Sequence, residues 1–178
     1  MELSIGQKVA YPNQGVCLVE NVKQYTIGDR TVGGYTLRVL NDNSTIFVPT
    51  DNAASVGIRP LISSSQCRKL INKLSEDFKP VSCDWKTRSK EFSEMLRSGD
   101  VFQAAEVLKM LTFLSHEKKL SFREQTLLEK AKFLIISEVS NASPNAKTRI
   151  ESEIASLVEA ACTKHSFTQP RVMAALVH

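Results

Sequence analysis

Hydrophobic and polar residues alternate along the first third of the chain, in short runs rich in β-branched and aromatic side chains. This pattern predicts β-strands over residues 9–11, 15–22, 35–40 and 45–48. In the third run we expect Thr36 and Arg38 to face outward and Leu37 and Val39 inward. Turn-forming residues separate the runs at 12–15, 28–29, 33–34 and 41–43. Four or five strands in about 60 residues predict a small SH3-like or Tudor-like β-barrel, which leaves few strand edges open.

After residue 61 the apolar spacing changes from every second residue to every third or fourth, which predicts helices. Five sequence features mark helix starts: Ser63 with Gln66, Asp84 before Trp85, Asp100 with Gln103, Ser121 with Glu124, and Ser143 before Pro144. Gly99 predicts the end of the second helix. We therefore expect an α+β protein with a barrel over residues 1–62, a five-helix domain over 63–165 and a flexible tail over 166–178.

The composition is that of a globular protein with one domain or two small ones, since the 178 residues are 42% hydrophobic and 24% charged. No apolar run approaches the roughly 20 residues of a membrane span, and the N-terminus lacks the order of a secretory signal, so we expect a cytoplasmic protein without a membrane partner. Residues 1–64 carry five basic and five acidic side chains, which leaves 18 basic and 14 acidic ones in the remainder. The uneven charge indicates that the two parts meet different partners.

Candidate catalytic and metal-binding residues are sparse. The four cysteines are too scattered for a CxxC site, and the three histidines do not pair at metal-ligand spacing. The glycine-rich phosphate-binding, GxSxG and HExxH motifs do not occur. A nucleophilic Cys17 or Cys83 would need a histidine brought close by folding and would show unusual thiol reactivity. We expect no enzyme, no cofactor and no metal site.

Trp85, the only tryptophan, is followed by the basic residues Lys86, Arg88 and Lys90. A lone tryptophan usually fills a core. Its charged neighbours Asp84 and Lys86 instead indicate a face that is partly in water. An indole beside cations suits nucleic acid, because it can stack on a base or wedge into an opened step while lysine and arginine neutralise phosphates.

A second basic group lies on the fourth helix, with Arg123 in its first turn and Lys130 two turns later. The alternative is a solvated face on which Glu124 and Glu129 offset the cations. Few phosphate contacts give weak and salt-sensitive binding, so a protein of this kind would need a second partner to hold it at its site.

The charge-balanced barrel is the candidate surface for that partner. An open strand edge allows a strand of another protein to add to the sheet, and Phe47, close to Pro49 and Leu37, would supply an apolar anchor. The alternative is that Phe47 belongs to the barrel core.

Several further motifs stand out along the chain: Gly6-Gln7-Lys8-Val9-Ala10-Tyr11-Pro12-Asn13-Gln14-Gly15-Val16, Val48-Pro49, Val56-Gly57-Ile58-Arg59, Trp85 with its basic residues, Ser98-Gly99-Asp100-Val101, and Leu120-Ser121-Phe122-Arg123-Glu124. Taken together, these motifs resemble the CarD/CdnL family of bacterial transcription regulators. The barrel motif alone also resembles the polymerase-interacting domain of transcription-repair coupling factors. The Trp85 helix and the helical part distinguish the two.

The resemblance implies that the barrel binds the β subunit of bacterial RNA polymerase and that the helical domain reaches promoter DNA. A tryptophan would act as a wedge at the upstream edge of the bubble and stabilise the open complex. Carried over to this chain, the DNA contacts would be Trp85, Lys86, Arg88, Lys90, Arg123 and Lys130, and the polymerase contacts Tyr25, Leu37, Phe47 and Pro49. The protein would be a monomer, associated with the nucleoid through the polymerase. Gln125 and Thr126 stand where the family often has basic residues, which implies weaker DNA binding.

A second hypothesis is an SH3/Tudor-like scaffold that binds proteins through both halves and never touches DNA. Both hypotheses predict a protein partner. A salt-dependent footprint at a promoter, with and without polymerase, would separate them.

Overall fold

The computed structural model describes residues 2–142 and 149–168, except for the side chains of Tyr25 and Ile27. Five strands come first: β1 (Lys8–Tyr11), β2 (Gly15–Ile27), β3 (Arg30–Val39), β4 (Thr45–Pro49) and β5 (Arg59–Pro60). The described residues after them form five helices: α1 (Ser64–Leu74), α2 (Trp85–Arg97), α3 (Val101–Glu117), α4 (Phe122–Ala142) and α5 (Ile150–Thr168). We call residues 2–62 the sheet module and the described residues from 63 onward the helical module.

The strands form one antiparallel sheet in the order β4-β3-β2-β1-β5, which confirms the predicted α+β class. The meander from β1 to β4 is completed by β5, which returns to pair with β1. In β3, Leu37 and Val39 are buried while Thr36 and Arg38 face outward, as the alternation predicts. The sheet encloses its own apolar core: Leu3, Val9, Cys17, Val19, Tyr35, Leu37, Val39, Val48, Ala53 and Ile58.

The hairpin of β2 and β3 is longer than the sequence pattern predicts. Its turn lies at Gly28 and Asp29, and the strands pair continuously from there to Cys17 and Val39 except at a bulge next to Val19. The predicted turn at residues 33–34 is therefore wrong, since both glycines lie inside β3. A side chain at Gly34 would collide with the ring of Phe47, so this glycine permits a close approach within the sheet.

The helix starts follow the predicted caps. Ser63 forms a capping box with Gln66, Asp84 accepts hydrogen bonds from the first turn of α2, and Ser121 and Glu124 bond reciprocally at the start of α4. Asp100 caps α3 through the amide of Phe102, without a box to Gln103. Gly99 has a φ of 77° between α2 and α3, as predicted for a helix stop. The predicted start at Ser143 and Pro144 lies outside the described residues.

The last described helix continues three residues past the predicted end of the helical domain, to Thr168. Its end is fixed by contacts with the segment after α1. His165 is buried, its ring stacks on Phe78 at 4.0 Å between centroids, and its Nδ1 lies 2.6 Å from Oδ1 of Asp77. The hydroxyl of Thr168 donates to Oδ2 of Asp77 at 2.7 Å. Residues 166–168 of the predicted tail are therefore helical, and residues 169–178 lie outside the description.

A partly buried salt bridge joins the two modules. Arg59 of β5 donates to both carboxylate oxygens of Glu138 in α4, at 2.5 and 2.8 Å, and to the carbonyl of Gly99 at 2.8 and 3.0 Å. Beside this bridge, Gly15 of β2 lies against the ring of Phe133 in α4. The position of the sheet relative to the helices is therefore set by polar geometry and by close packing at one place.

Candidate functional site

Trp85 is the first residue of α2, and 60% of its surface is exposed. It lies on the same side of the helix as Arg88 and Ser89, which are buried one turn later. The buried stripe of α2 is thus continued by Trp85, but among the residues that the structure describes nothing buries its ring. The ring is displayed at a helix start whose backbone is fixed by Asp84.

Asp84 holds this helix start in place. It accepts hydrogen bonds from the amide of Thr87 at 3.0 Å and of Lys86 at 3.4 Å, and from the hydroxyl of Thr87 at 2.5 Å. The bonds from Thr87 chiefly lower the pKa of Asp84, so the cap remains ionised. The carboxylate beside the tryptophan is consequently engaged in the helix cap.

Two of the predicted cations of α2 are exposed. The Nζ of Lys86 lies 5.8 Å from the centroid of the Trp85 ring, which fits a weak cation–π contact. Lys90 is one turn further and lies 4.0 Å from a carboxylate oxygen of Glu94. A surface pair of this kind contributes little to stability, so its ammonium group is available to another anion.

Arg88 does not belong to this exposed surface, and its assignment as a phosphate contact is wrong. It is 3% exposed, and its Nε and Nη2 donate to Oε1 of Glu124 at 3.2 and 2.6 Å. Its Nη1 donates to the carbonyls of Ser82 at 2.6 Å and Cys83 at 3.3 Å. The helical spacing of the buried stripe turns Arg88 inward, where a buried carboxylate is its partner.

Glu124 is the centre of a buried polar cluster, which we call the Arg88–Glu124 cluster. Besides Arg88 it accepts hydrogen bonds from the amide and hydroxyl of Ser121 at 2.9 and 2.8 Å and from Nζ of Lys118 at 3.2 Å. Burial alone would raise the pKa of Glu124, but these donors outweigh it and lower the pKa to about 2. The cluster ties residues 82–88 to residues 118–124, so the starts of α2 and α4 have a fixed relation.

The two predicted basic residues of α4 differ in their surroundings. Arg123 is exposed in the first turn and, among the residues described, forms no ion pair. Lys130 is half-buried, its Nζ lies 5.8 Å from the ring of Phe133, and burial lowers its pKa. Seven residues of helix, about 10 Å along the axis, separate it from Arg123. Lys130 thus lies towards the sheet module, and only Arg123 lies at the helix start near Trp85.

One exposed side chain at this place was missed by the sequence analysis. Phe122, the first residue of α4, is 88% exposed. The sequence contained an indication of it, because Phe122 precedes the polar pair Gln125 and Thr126 on the helix and is off the apolar stripe. An apolar residue on a polar face is an exception that a binding surface can explain.

On the sheet module, β4 is an end strand of the sheet and presents Phe47, which is 47% exposed. Pro49 is half-buried at the end of the same strand. Leu37 is fully buried, so its assignment to the partner surface is wrong; the alternation along β3 points it into the sheet core. Tyr25 pairs with Val32 in the β2–β3 hairpin, and its side chain lies outside the description.

The surroundings of Cys17 do not favour the nucleophilic thiol that the sequence left open. That thiol is fully buried in the sheet core, and burial, with a smaller contribution from Asp42, raises its pKa to about 11. Cys83 is exposed and its carbonyl accepts from Arg88. Within residues 2–142 and 149–168, no group of three or more His, Cys, Asp or Glu residues could hold a metal ion. No helix in those same ranges has the length and apolarity needed to cross a membrane.

Two family profiles match this chain. The profile of the CarD-like/TRCF RID domain matches residues 3–62, and that of the CarD C-terminal domain matches residues 69–155. The chain belongs to the CarD/CdnL family. As a family member it is a transcription regulator whose sheet module is of the type that interacts with RNA polymerase.

Two proteins similar to this chain are the following. A Bacillus subtilis (strain 168) protein named "Putative transcription factor YdeB" is 24% identical over 148 residues, which cover 83% of this CarD-family chain and 97% of the relative. The solution structure of the N-terminal domain of Myxococcus xanthus CarD is 30% identical, covers 33% of this chain and 79% of its own, and has a TM-score of 0.29.

Proposed function

We propose that this protein docks on the β subunit of RNA polymerase through its sheet module and stabilises the promoter open complex by placing Trp85 at the upstream edge of the bubble. The observation that carries the proposal is the 60% exposure of the only tryptophan, beside Lys86 and at a capped helix start. A large exposed indole has no role in the protein's own core. It suits a surface that contacts bases where their stacking is interrupted.

The distribution of charge supports a protein-binding role for the sheet module and a DNA-binding role for the helical module. The positive surplus lies after residue 64, whereas residues 1–64 are balanced. A balanced module with an apolar side chain on an end strand suits a protein partner, which can pair with the open strand. The phosphate contacts that Lys86, Lys90 and Arg123 can supply are few, so DNA binding alone would be weak and salt-sensitive.

The contacts between the sheet module and the helical module support a single functional unit. Arg59 and Glu138 fix α4 against β5, and the Arg88–Glu124 cluster fixes α2 against α4. A protein held by its sheet module would thereby present Trp85 at a set position. Fixed placement lets the interaction of one side chain act on the DNA without an ordering cost at each binding event.

The effect on transcription follows from differential affinity. A wedge that interacts better with melted DNA than with closed duplex shifts the equilibrium between the closed and the open promoter complex. The size of the shift is set by the difference between the two interaction free energies. One stacking contact of about 1 to 2 kcal/mol changes the open fraction about five- to thirtyfold where opening is marginal. Promoters that already open readily would gain little.

The first test measures open-complex lifetime at a weak promoter with wild type and with Trp85→Ala. We expect the variant to bind polymerase normally and the lifetime to fall about five- to thirtyfold, the value of one stacking contact. An unchanged lifetime would reject the wedge and favour the scaffold that never touches DNA.

The second test addresses the docking surface with Phe47→Arg. We expect the charged side chain to abolish recovery of the isolated β subunit in a pull-down. Ile5→Arg is the matched control, because Ile5 is another exposed apolar side chain of the sheet module, at 65%, and lies outside β4. Equal recovery with both variants would count against the β4 contact.

A further inference from the structure

Phe122 is the most exposed of the large apolar side chains that the structure describes, at 88%. It begins α4 directly after the capping residue Ser121. Gln125 and Thr126, one turn later on the same side, are exposed as well. The packing of α4 is provided by other residues, among them Ala131, Ile135 and Val139. The residues that the structure describes therefore give the ring little apolar environment.

The Arg88–Glu124 cluster fixes this ring relative to Trp85. Trp85 lies within the segment 82–88 and Phe122 within the segment 118–124, and the cluster joins these two segments. Helices α2 and α4 contact each other. Two exposed aromatic rings are thus carried by two adjacent helix starts whose relative position is set by a buried ion pair.

The charges around the rings select an anionic, aromatic partner. Lys86 follows Trp85 and Arg123 follows Phe122, both exposed. The carboxylate of Glu124 is buried and neutralised by Arg88 and Lys118, so it does not repel an approaching anion. We call Trp85, Lys86, Phe122 and Arg123 the aromatic–cationic face. DNA with unstacked bases offers both the phosphates and the aromatic planes that such a face complements.

We propose that Phe122 is a second DNA contact, which stacks on an unpaired base next to the step that Trp85 engages. This proposal rests on the proposed function, because it uses the same DNA. A phenyl ring has no hydrogen-bonding group with which to read base edges, and in intact duplex the base planes are covered by their neighbours. Its contribution therefore appears where the stack is open.

The experiment measures equilibrium binding of the full chain, at low salt, to two labelled DNAs by fluorescence anisotropy. One is a fork with a duplex arm and a single-stranded arm of about ten nucleotides, within the length that such surfaces cover. The other is the same duplex, fully paired. The variants are Phe122→Ala, Phe122→Tyr and Trp85→Ala. Phe167→Ala is the matched control, since Phe167 is 82% exposed but lies near the end of α5.

We expect wild type to bind the fork more tightly than the duplex. Phe122→Ala should lower the fork affinity about fivefold or more, the value of one stacked base, and leave the duplex affinity unchanged. Phe122→Tyr, which keeps the ring, should retain the preference, and Phe167→Ala should behave as wild type. Because residues 85, 122 and 167 are all exposed, the thermal unfolding midpoint should be the same in all variants, which separates a lost DNA contact from a lost fold.

Failure of this inference and failure of the proposed function give different results. If Trp85→Ala reduces the fork preference and Phe122→Ala does not, Phe122 is not a contact and the wedge stands. If Phe122→Ala weakens fork and duplex equally, stacking on an open base is wrong. If wild type shows no fork preference and Trp85→Ala changes nothing, the DNA role of the helical module fails, and that of Phe122 with it.

Discussion

The two modules differ in how they hold an exposed apolar side chain in place. In the sheet module, Phe47 lies on an end strand and its ring packs over Gly34. In the helical module, Trp85 and Phe122 are the first residues of α2 and α4, and their rings are largely exposed. The first arrangement is stabilised by the sheet itself. The second depends on a buried ion pair that holds two helix starts together.

Their salt bridges show the same contrast. Arg38 and Glu20 on the sheet lie 2.8 Å apart with side chains 39% and 37% exposed, whereas Arg88 and Glu124 lie 2.6 Å apart with side chains 4% and 6% exposed. The distances are similar, but the environments are not. Burial removes the water that would otherwise solvate an unpaired charge, so the loss of one partner has a much larger effect inside than outside.

The largest expected effect tests this contrast directly. Arg88→Ala leaves Glu124 buried without its main counter-ion and should lower the free energy of unfolding by about 3 to 5 kcal/mol. Arg38→Ala, the matched change on the sheet, should cost less than about 1 kcal/mol. Urea denaturation of the full chain measures both. Equal losses would show that the buried bridge does not hold the helix starts.

Low pH should lower the stability of the helical module, because the carboxylate of Glu124 becomes protonated. Its folded pKa of about 2 lies below the ordinary value of 4.5, so its contribution to stability is complete above pH 4.5 and is lost as the pH falls towards 2. The full contribution is on the order of 3 kcal/mol. In Glu124→Gln this part of the pH dependence should disappear from unfolding curves taken between pH 2 and 5. A variant that keeps the wild-type acid dependence would contradict the assignment to Glu124.

The contact between Gly15 of the sheet module and Phe133 of the helical module should tolerate an added methyl group poorly, with a loss of stability. Gly15 has a φ of 81°, and a Cβ there would lie 3.0 Å from the Phe133 ring, so Gly15→Ala combines backbone strain with a close contact. The strain alone costs about 1 to 2 kcal/mol. Gly28→Ala is the control, because Gly28 also has a positive φ but a Cβ there meets nothing within 4 Å. We expect a larger loss of thermal stability for Gly15→Ala than for Gly28→Ala. An equal loss in the two variants would mean that the Phe133 ring moves aside without lowering the stability.

The smallest expected effect on stability belongs to Lys86. Lys86→Ala removes an exposed cation, so unfolding should change by less than about 0.5 kcal/mol. The slope of log affinity for DNA against log salt should nevertheless fall by about one, the value of one phosphate contact. Lys69→Ala, on exposed α1 surface, is the matched control and should keep the wild-type slope. Identical slopes for the two variants would remove Lys86 from the DNA contacts.

Local patterns predicted much of this architecture, because their physical causes act over a few residues. The capping pairs Ser63 with Gln66 and Ser121 with Glu124 placed two helix starts correctly, since a cap satisfies amides of its own first turn. The glycines at residues 33–34 misled the same reasoning. Local sequence could not show that these glycines permit close approaches within the sheet, Gly33 by Thr50 and Gly34 by the ring of Phe47.

The sequence by itself determined the change from strands to helices, several helix starts and the imbalance of charge, and it indicated a partly exposed Trp85 beside basic residues. The tertiary structure decided which of those basic residues face solvent: it buried Arg88 against Glu124, turned Leu37 into the sheet core and left Phe122 in water. The reason is that helical or strand periodicity fixes which residues share a side. Only the packing of the other elements determines where that side is covered and where it stays exposed.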